Sequence, residues 1–139
     1  MSRFVLDCSI AAAWFFEDET SALAEHVLGS LATHEAVVPS IWPLEIANVL
    51  VLAERARRTT PAKSEQFLAR LTDMPIVLDH RDADRAFSAV LAFARLYGLT
   101  SYDAAYLELA LRDDLPLATL DVPLRKAASK AGVSLVSEP

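Results

Sequence analysis

A single cysteine, Cys8, leaves no possibility of an internal disulfide, which fits a reducing cytoplasm as the expected location. With only three glycines the chain cannot build a glycine-rich phosphate loop, and no Gly-x-Ser-x-Gly elbow is present. Ordinary nucleotide-binding α/β readings and serine-nucleophile chemistry are thereby set aside. The three histidines, His26, His34 and His80, are scattered, and Cys8 has no partner at ligand spacing, so zinc is not expected. Long apolar runs are also missing. Glu45, Asn48 and Glu54 interrupt the most hydrophobic stretch well short of the ~20 residues a spanning helix needs. No basic stretch leading into an apolar core opens the chain, so neither a secretory leader nor a membrane partner is expected. Positive charge is scarce: 13 Lys and Arg against 19 Asp and Glu give a net charge of -6. That argues against a protein that grips nucleic acid through overall charge. It does not argue against an enzyme whose acidic site carries cations when working.

What is present is ample apolar material, 53% of 139 residues, enough for one domain spanning 1–139 with a closed core. Strand and helix patterns alternate. Apolar runs at 4–7, 35–40, 75–79, 116–121 and 134–137 read as strands. The segments 9–16, 20–32, 43–58, 60–72, 82–98, 101–112 and 123–132 carry helical spacing or helix-start residues. Pro43 suits a first helical turn, and Gly98 suits a left-handed helix end. Strands separated by helices imply parallel pairing. Because the strands are continuously apolar rather than alternating, helices should cover both faces. The expected fold is α/β, a three-layer α/β/α sandwich with a mainly parallel central sheet.

Open parallel sheets bind ligands beyond the carboxyl ends of their strands, and that rule sorts the acids. Asp7 ends the first strand and Asp121 the fourth; Glu45 and Asp103 lie in the first turns of helices. All four can project toward one edge, whereas Asp113 and Asp114 precede the fourth strand and belong at the opposite one. Each also has a local role open to it. Thr100-x-x-Asp103 is a capping box, Glu45 suits a helix N-terminus, and Asp7 and Asp121 can cap the helices that follow them. As a set they are harder to explain locally. Glu45 sits between "IWPL" and "IANVLVLA", and Asp103 precedes "AAYLELAL". A carboxylate against apolar surface is costly unless paired or coordinating a cation, and no Lys or Arg lies within several residues of Asp7, Glu45 or Asp103. Carboxylates without thiolates or clustered imidazoles suit a hard cation, Mg²⁺ or Mn²⁺, and no organic cofactor is called for.

The stretches "FVLDCSIAAAWFFEDE", "PSIWPLEIANVLVLA", "GLTSYDAAYLELALRDDLPLATLD" and "LRKAASKAGVSLV" together resemble PIN-domain proteins, especially the VapC-type ribonuclease toxins of prokaryotic toxin–antitoxin pairs. The resemblance covers nearly the whole chain. It implies a PIN-like fold and a metal-dependent endoribonuclease. Asp7, Glu45, Asp103 and Asp121 would be the catalytic, metal-binding acids, with Asp7 and Asp103 the principal ligands. Ser9 and Thr119 would be hydroxyls supporting the first and last acids, and Asn48, one helical turn beyond Glu45, could steady its carboxylate. The implied partners are RNA, a small VapB-like antitoxin and a second copy in a homodimer.

Arg55, Arg57 and Arg58 form the densest basic cluster, a candidate RNA contact that also suits a helix C-terminus. Trp14, Phe15 and Phe16 could stack on bases or lie in core or interface, the last being favoured. Two rivals stand beside the nuclease. A catalytically inactive PIN-like binding or scaffold protein would not need four intact acids. A phosphoacceptor receiver domain should show adjacent acids near its first strand, where Cys8 and Ser9 stand here. It should also show a lysine after the last strand but one, yet the nearest basic residues after "ATLD" are Arg125 and Lys126, in a helix.

Overall fold

The computed structural model describes residues 2–138. Strand β1 (Ser2–Leu6) leads to α1 (Cys8–Phe15), a 3-10 turn (Glu17–Glu19), α2 (Ala22–Ser30), β2 (His34–Val38), α3 (Trp42–Arg55) and α4 (Pro61–Thr72). Then come β3 (Ile76–Leu78), the 82–98 region ending in α5 (Leu91–Tyr97), α6 (Ser101–Asp113), β4 (Leu117–Ala118) and α7 (Val122–Ala131). The four strands pair in the order β3-β2-β1-β4, all parallel. Val5 stands opposite both Val37 and Leu117. Phe4, Val5 and Leu6 are successive and all buried; alternate strand side chains face opposite ways, so both sheet faces are covered. Helix α6 is the deepest element, every residue from Ala104 to Ala110 being buried, as befits a helix packed on all sides. Among the described residues, no helix is long and apolar enough to cross a membrane.

Two elements differ from the sequence expectation. The segment 134–137 is not a fifth strand: it meets the sheet only at a single parallel bridge, Leu117 to Leu135. Strand β4 has two residues, so there is little edge on which to extend a ladder. The helix expected over 82–98 is broken into a 3-10 turn (Ala83–Arg85), a π turn (Ala86–Val90) and α5. Asp82 would be its cap, but its Oδ2 accepts from the backbone N–H and the hydroxyl of Ser40 at 2.8 and 2.9 Å. The first turn is therefore left uncapped and tightens into 3-10 geometry. Gly98 ends α5 in the left-handed region, φ 65°, as its type predicts.

The resulting placement sets up the site. Asp7 follows β1, Ser40 and Glu45 follow β2, and Asp121 follows β4. Helix α6 enters with Asp103 in its first turn.

Candidate functional site

Asp7 lies at the junction of β1 and α1, 4% exposed, and its side chain does not cap the helix. Two hydroxyls converge on its Oδ2 instead, Ser9 Oγ and Thr119 Oγ1, each donating at 2.6 Å. Ser9 Oγ in turn accepts from the Leu120 N–H at 2.9 Å, and Thr119 Oγ1 from the Asp121 N–H at 3.0 Å. The Asp7 network thus stitches the ends of β1 and β4 together and fixes Asp121 beside Asp7. Asp121 also caps α7, its Oδ2 accepting from the Leu124 N–H at 3.0 Å, so one carboxyl oxygen serves the local role.

Glu45 is held from across the molecule. Tyr106, fully buried in α6, donates its hydroxyl to Glu45 Oε1 at 2.5 Å. Asn48 does not steady Glu45: it is exposed on α3 and makes no hydrogen bond to that carboxylate, because it turns outward while Tyr106 reaches it from within. Only half of the capping box at α6 forms. Asp103 donates its backbone N–H to Thr100 Oγ1 at 3.1 Å, and its carboxylate makes no hydrogen bond among the described residues.

The four acids share one electrostatic neighbourhood. Burial raises the Asp7 carboxyl, with the Asp121 charge adding to the effect and the Ser9 and Thr119 hydrogen bonds opposing it. Burial also raises Glu45, against the Tyr106 hydrogen bond and together with the charges of Asp7 and Asp103. Asp103 is lifted by burial and by Asp121 and Asp7, to about 6. Burial, then the charges of Glu45 and Asp7, pushes the Cys8 thiol up to about 12, so it stays protonated and takes no part as a thiolate. None of the four acids forms an ion pair with Lys or Arg among the described residues. Nor do they form a closed cage: among those residues no three His, Cys, Asp or Glu side chains stand as a ready-made metal group. The arrangement is an open set of oxygen donors whose mutual repulsion no protein cation offsets. Such a donor set fits a hard divalent ion bound partly through water.

The other sequence candidates lie elsewhere. Arg58 is paired with Asp18 and Glu19 at 3.1 Å and stacks over Phe16, 4.2 Å from the ring centre. Together with Trp14, Phe15 and Phe67 it lines a cleft of about 610 Å³ that contains none of the four acids. Helix α1 separates that cleft from Asp7 by eight residues, about 12 Å. Arg55 and Arg57 are exposed, the latter at φ 59° where the chain leaves α3. Sequence reasoning missed Tyr106, whose signal was its place three residues after Asp103 on the same helical face. It also missed an ionic network centred on the buried Glu108 and Asp79.

With this geometry in hand, comparison with known proteins identifies the fold. A search of the curated proteins finds no match. Among solved structures, a chain in the crystal structure of VapBC2 from Rickettsia felis, bound to a DNA fragment from their promoter, superposes with a TM-score of 0.60. It is 10% identical, and the likeness covers 96% of this chain and 97% of that one, which speaks for a shared fold. The PIN domain family model matches residues 4–130, a span that includes all four acids, and the chain belongs to the PIN domain family.

Proposed function

We propose that this chain is a divalent-metal-dependent endoribonuclease of the VapC type, the toxin of a two-protein pair. The observation that carries the reading is the Asp7 carboxylate, buried and held at 2.6 Å by Ser9 and Thr119, whose hydroxyl also takes the Asp121 N–H. Among the described residues none of Asp7, Glu45, Asp103 and Asp121 pairs with Lys or Arg. PIN-family membership supports nuclease chemistry in general; RNA as substrate and Mg²⁺ or Mn²⁺ as the ion are the finer steps we add. The VapBC2 likeness supports a small VapB-like antitoxin as partner, and we extend the reading to a homodimer.

When bound, Mg²⁺ or Mn²⁺ lowers the pKa of a water molecule and offsets the charge that grows on the phosphate. The chain's own groups set the geometry. Asp7 is locked by Ser9 and Thr119, so its orientation is settled before any ligand arrives. Glu45, anchored through Oε1 by Tyr106, keeps its other oxygen uncommitted and able to accept a proton from an attacking water. Its raised pKa suits that task. Asp103, with its carboxylate uncommitted, is the second principal donor, and Asp121 completes the set with the oxygen that does not cap α7.

The test is cleavage of a structured RNA pool in Mg²⁺, Mn²⁺ or chelator by the wild-type chain and by Asp7→Asn and Asp103→Asn. We expect cleavage only with metal, and a loss of about a hundredfold or more in each variant. Cleavage that persists in chelator, or is unchanged in both variants, would overturn the reading. A wild-type chain that binds RNA without cutting it would point instead to an inactive binding protein.

A further inference from the structure

An acidic pocket cannot hold an RNA strand by itself, because every nucleotide brings a phosphate charge toward four carboxylates. The chain has thirteen lysines and arginines, and several of the arginines are committed to ion pairs. Arg81 pairs with Asp79 and Asp113, Arg85 with Glu108, and Arg112 with both Glu108 and Asp79. Arg125 is different. From the first turn of α7, half-buried, it donates Nη1 to the Thr119 carbonyl oxygen at 2.7 Å, and the Thr119 hydroxyl lies 2.6 Å from Asp7. Among the described residues, no other Lys or Arg bonds to a member of the Asp7 network, and Arg125 itself makes no ion pair. A guanidinium has five N–H donors in a planar fork. The single bond to a neutral carbonyl ties that fork to Thr119, two residues before Asp121, and leaves most of its donors free.

We propose that Arg125 is a phosphate-binding residue, gripping the RNA backbone next to the acid cluster. The inference rests on the ribonuclease reading above. The competing role, a tether between β4 and α7, needs a donor for Thr119 but no charge, and that difference separates the two. Arg125→Gln keeps an N–H donor and removes the charge; Arg125→Lys keeps the charge and loses the fork.

The experiment measures binding of a fluorescein-labelled single-stranded RNA by anisotropy, in Mg²⁺ across a salt series, with Asp7→Asn in every arm to keep the strand whole. Arg125→Gln should bind several-fold more weakly at low salt. Its slope of log affinity against log salt should be smaller by about 0.7, the value for one phosphate contact on a single strand. Arg125→Lys should retain the slope, and both should melt where the parent does. An unchanged affinity and slope in Arg125→Gln, with wild-type cleavage intact, would overturn the phosphate role and leave the ribonuclease standing. A wild-type chain that neither binds nor cuts RNA would overturn the ribonuclease, and Arg125's role with it.

Discussion

At the scale of single residues, the account turns on carboxylates held where charge is unwelcome. Asp103 has its carboxyl lifted from 3.8 to about 6 by burial and by its acidic neighbours. It therefore holds its proton more tightly folded than unfolded. Its contribution to stability is complete below about pH 4 and is lost as the pH rises through 6. In the absence of divalent metal, Asp103→Asn should therefore raise the melting temperature by several degrees at pH 7.5, the gain shrinking as the pH approaches 4. Thermal melts across that range check this; an equal offset at both ends would mean that Asp103 does not feel the other acids. The acids themselves were legible because strand ends and helix starts can be read from apolar runs and caps, and all four stood in such places. Tyr106 was not legible. Within "AAYLELAL" a tyrosine reads as core, and it is core; that its hydroxyl ends on Glu45, 61 residues away, is a long-range contact that no local pattern records.

Among elements, the feature that sequence reasoning passed over is a buried ionic network joining α6 to the chain beyond β3. Glu108, 1% exposed, lies between Arg85 and Arg112. Arg112 also reaches Asp79 at 2.9 Å, and Arg81 reaches Asp79 at 2.8 Å. Burial alone would raise the Asp79 carboxyl, but the hydrogen bonds from Arg112 and Arg81 outweigh it and hold the group below its ordinary value. Removing Arg112 leaves the buried Asp79 and Glu108 each with a single, more exposed arginine partner, so Arg112→Ala should cost about 2 kcal/mol of folding stability, above the range of an exposed pair. Denaturant melts read the loss directly. A cost near that of an exposed ion pair, below about 1 kcal/mol, would show that the network is solvated rather than buried. The only sequence signal was Glu108 four residues before Arg112 on one helix; the links to Asp79 and Arg85 are long-range. The break in the 82–98 helix was hidden for a similar reason. Asp82, at its start, is held through Oδ2 by Ser40, 42 residues away.

For the whole molecule, the strand and helix order fixed the parallel sheet, and a chain 10% identical to this one shares the fold over 97% of its length. So few shared residues suffice because a parallel sheet demands only apolar strands and covering helices. The net charge of -6 gave little guidance to function, since part of it lies on the four acids proposed as the site. The most direct test of the central claim is a calorimetric titration of Mn²⁺ into the purified chain, repeated with Asp7→Asn and Asp103→Asn. Saturable binding is expected that strengthens as the pH rises from 5 to 7.5, because protons must leave the raised carboxyls. Each substitution should weaken binding by about tenfold or more. Binding that is absent in the wild-type chain, or equally strong in all three proteins, would contradict the claim.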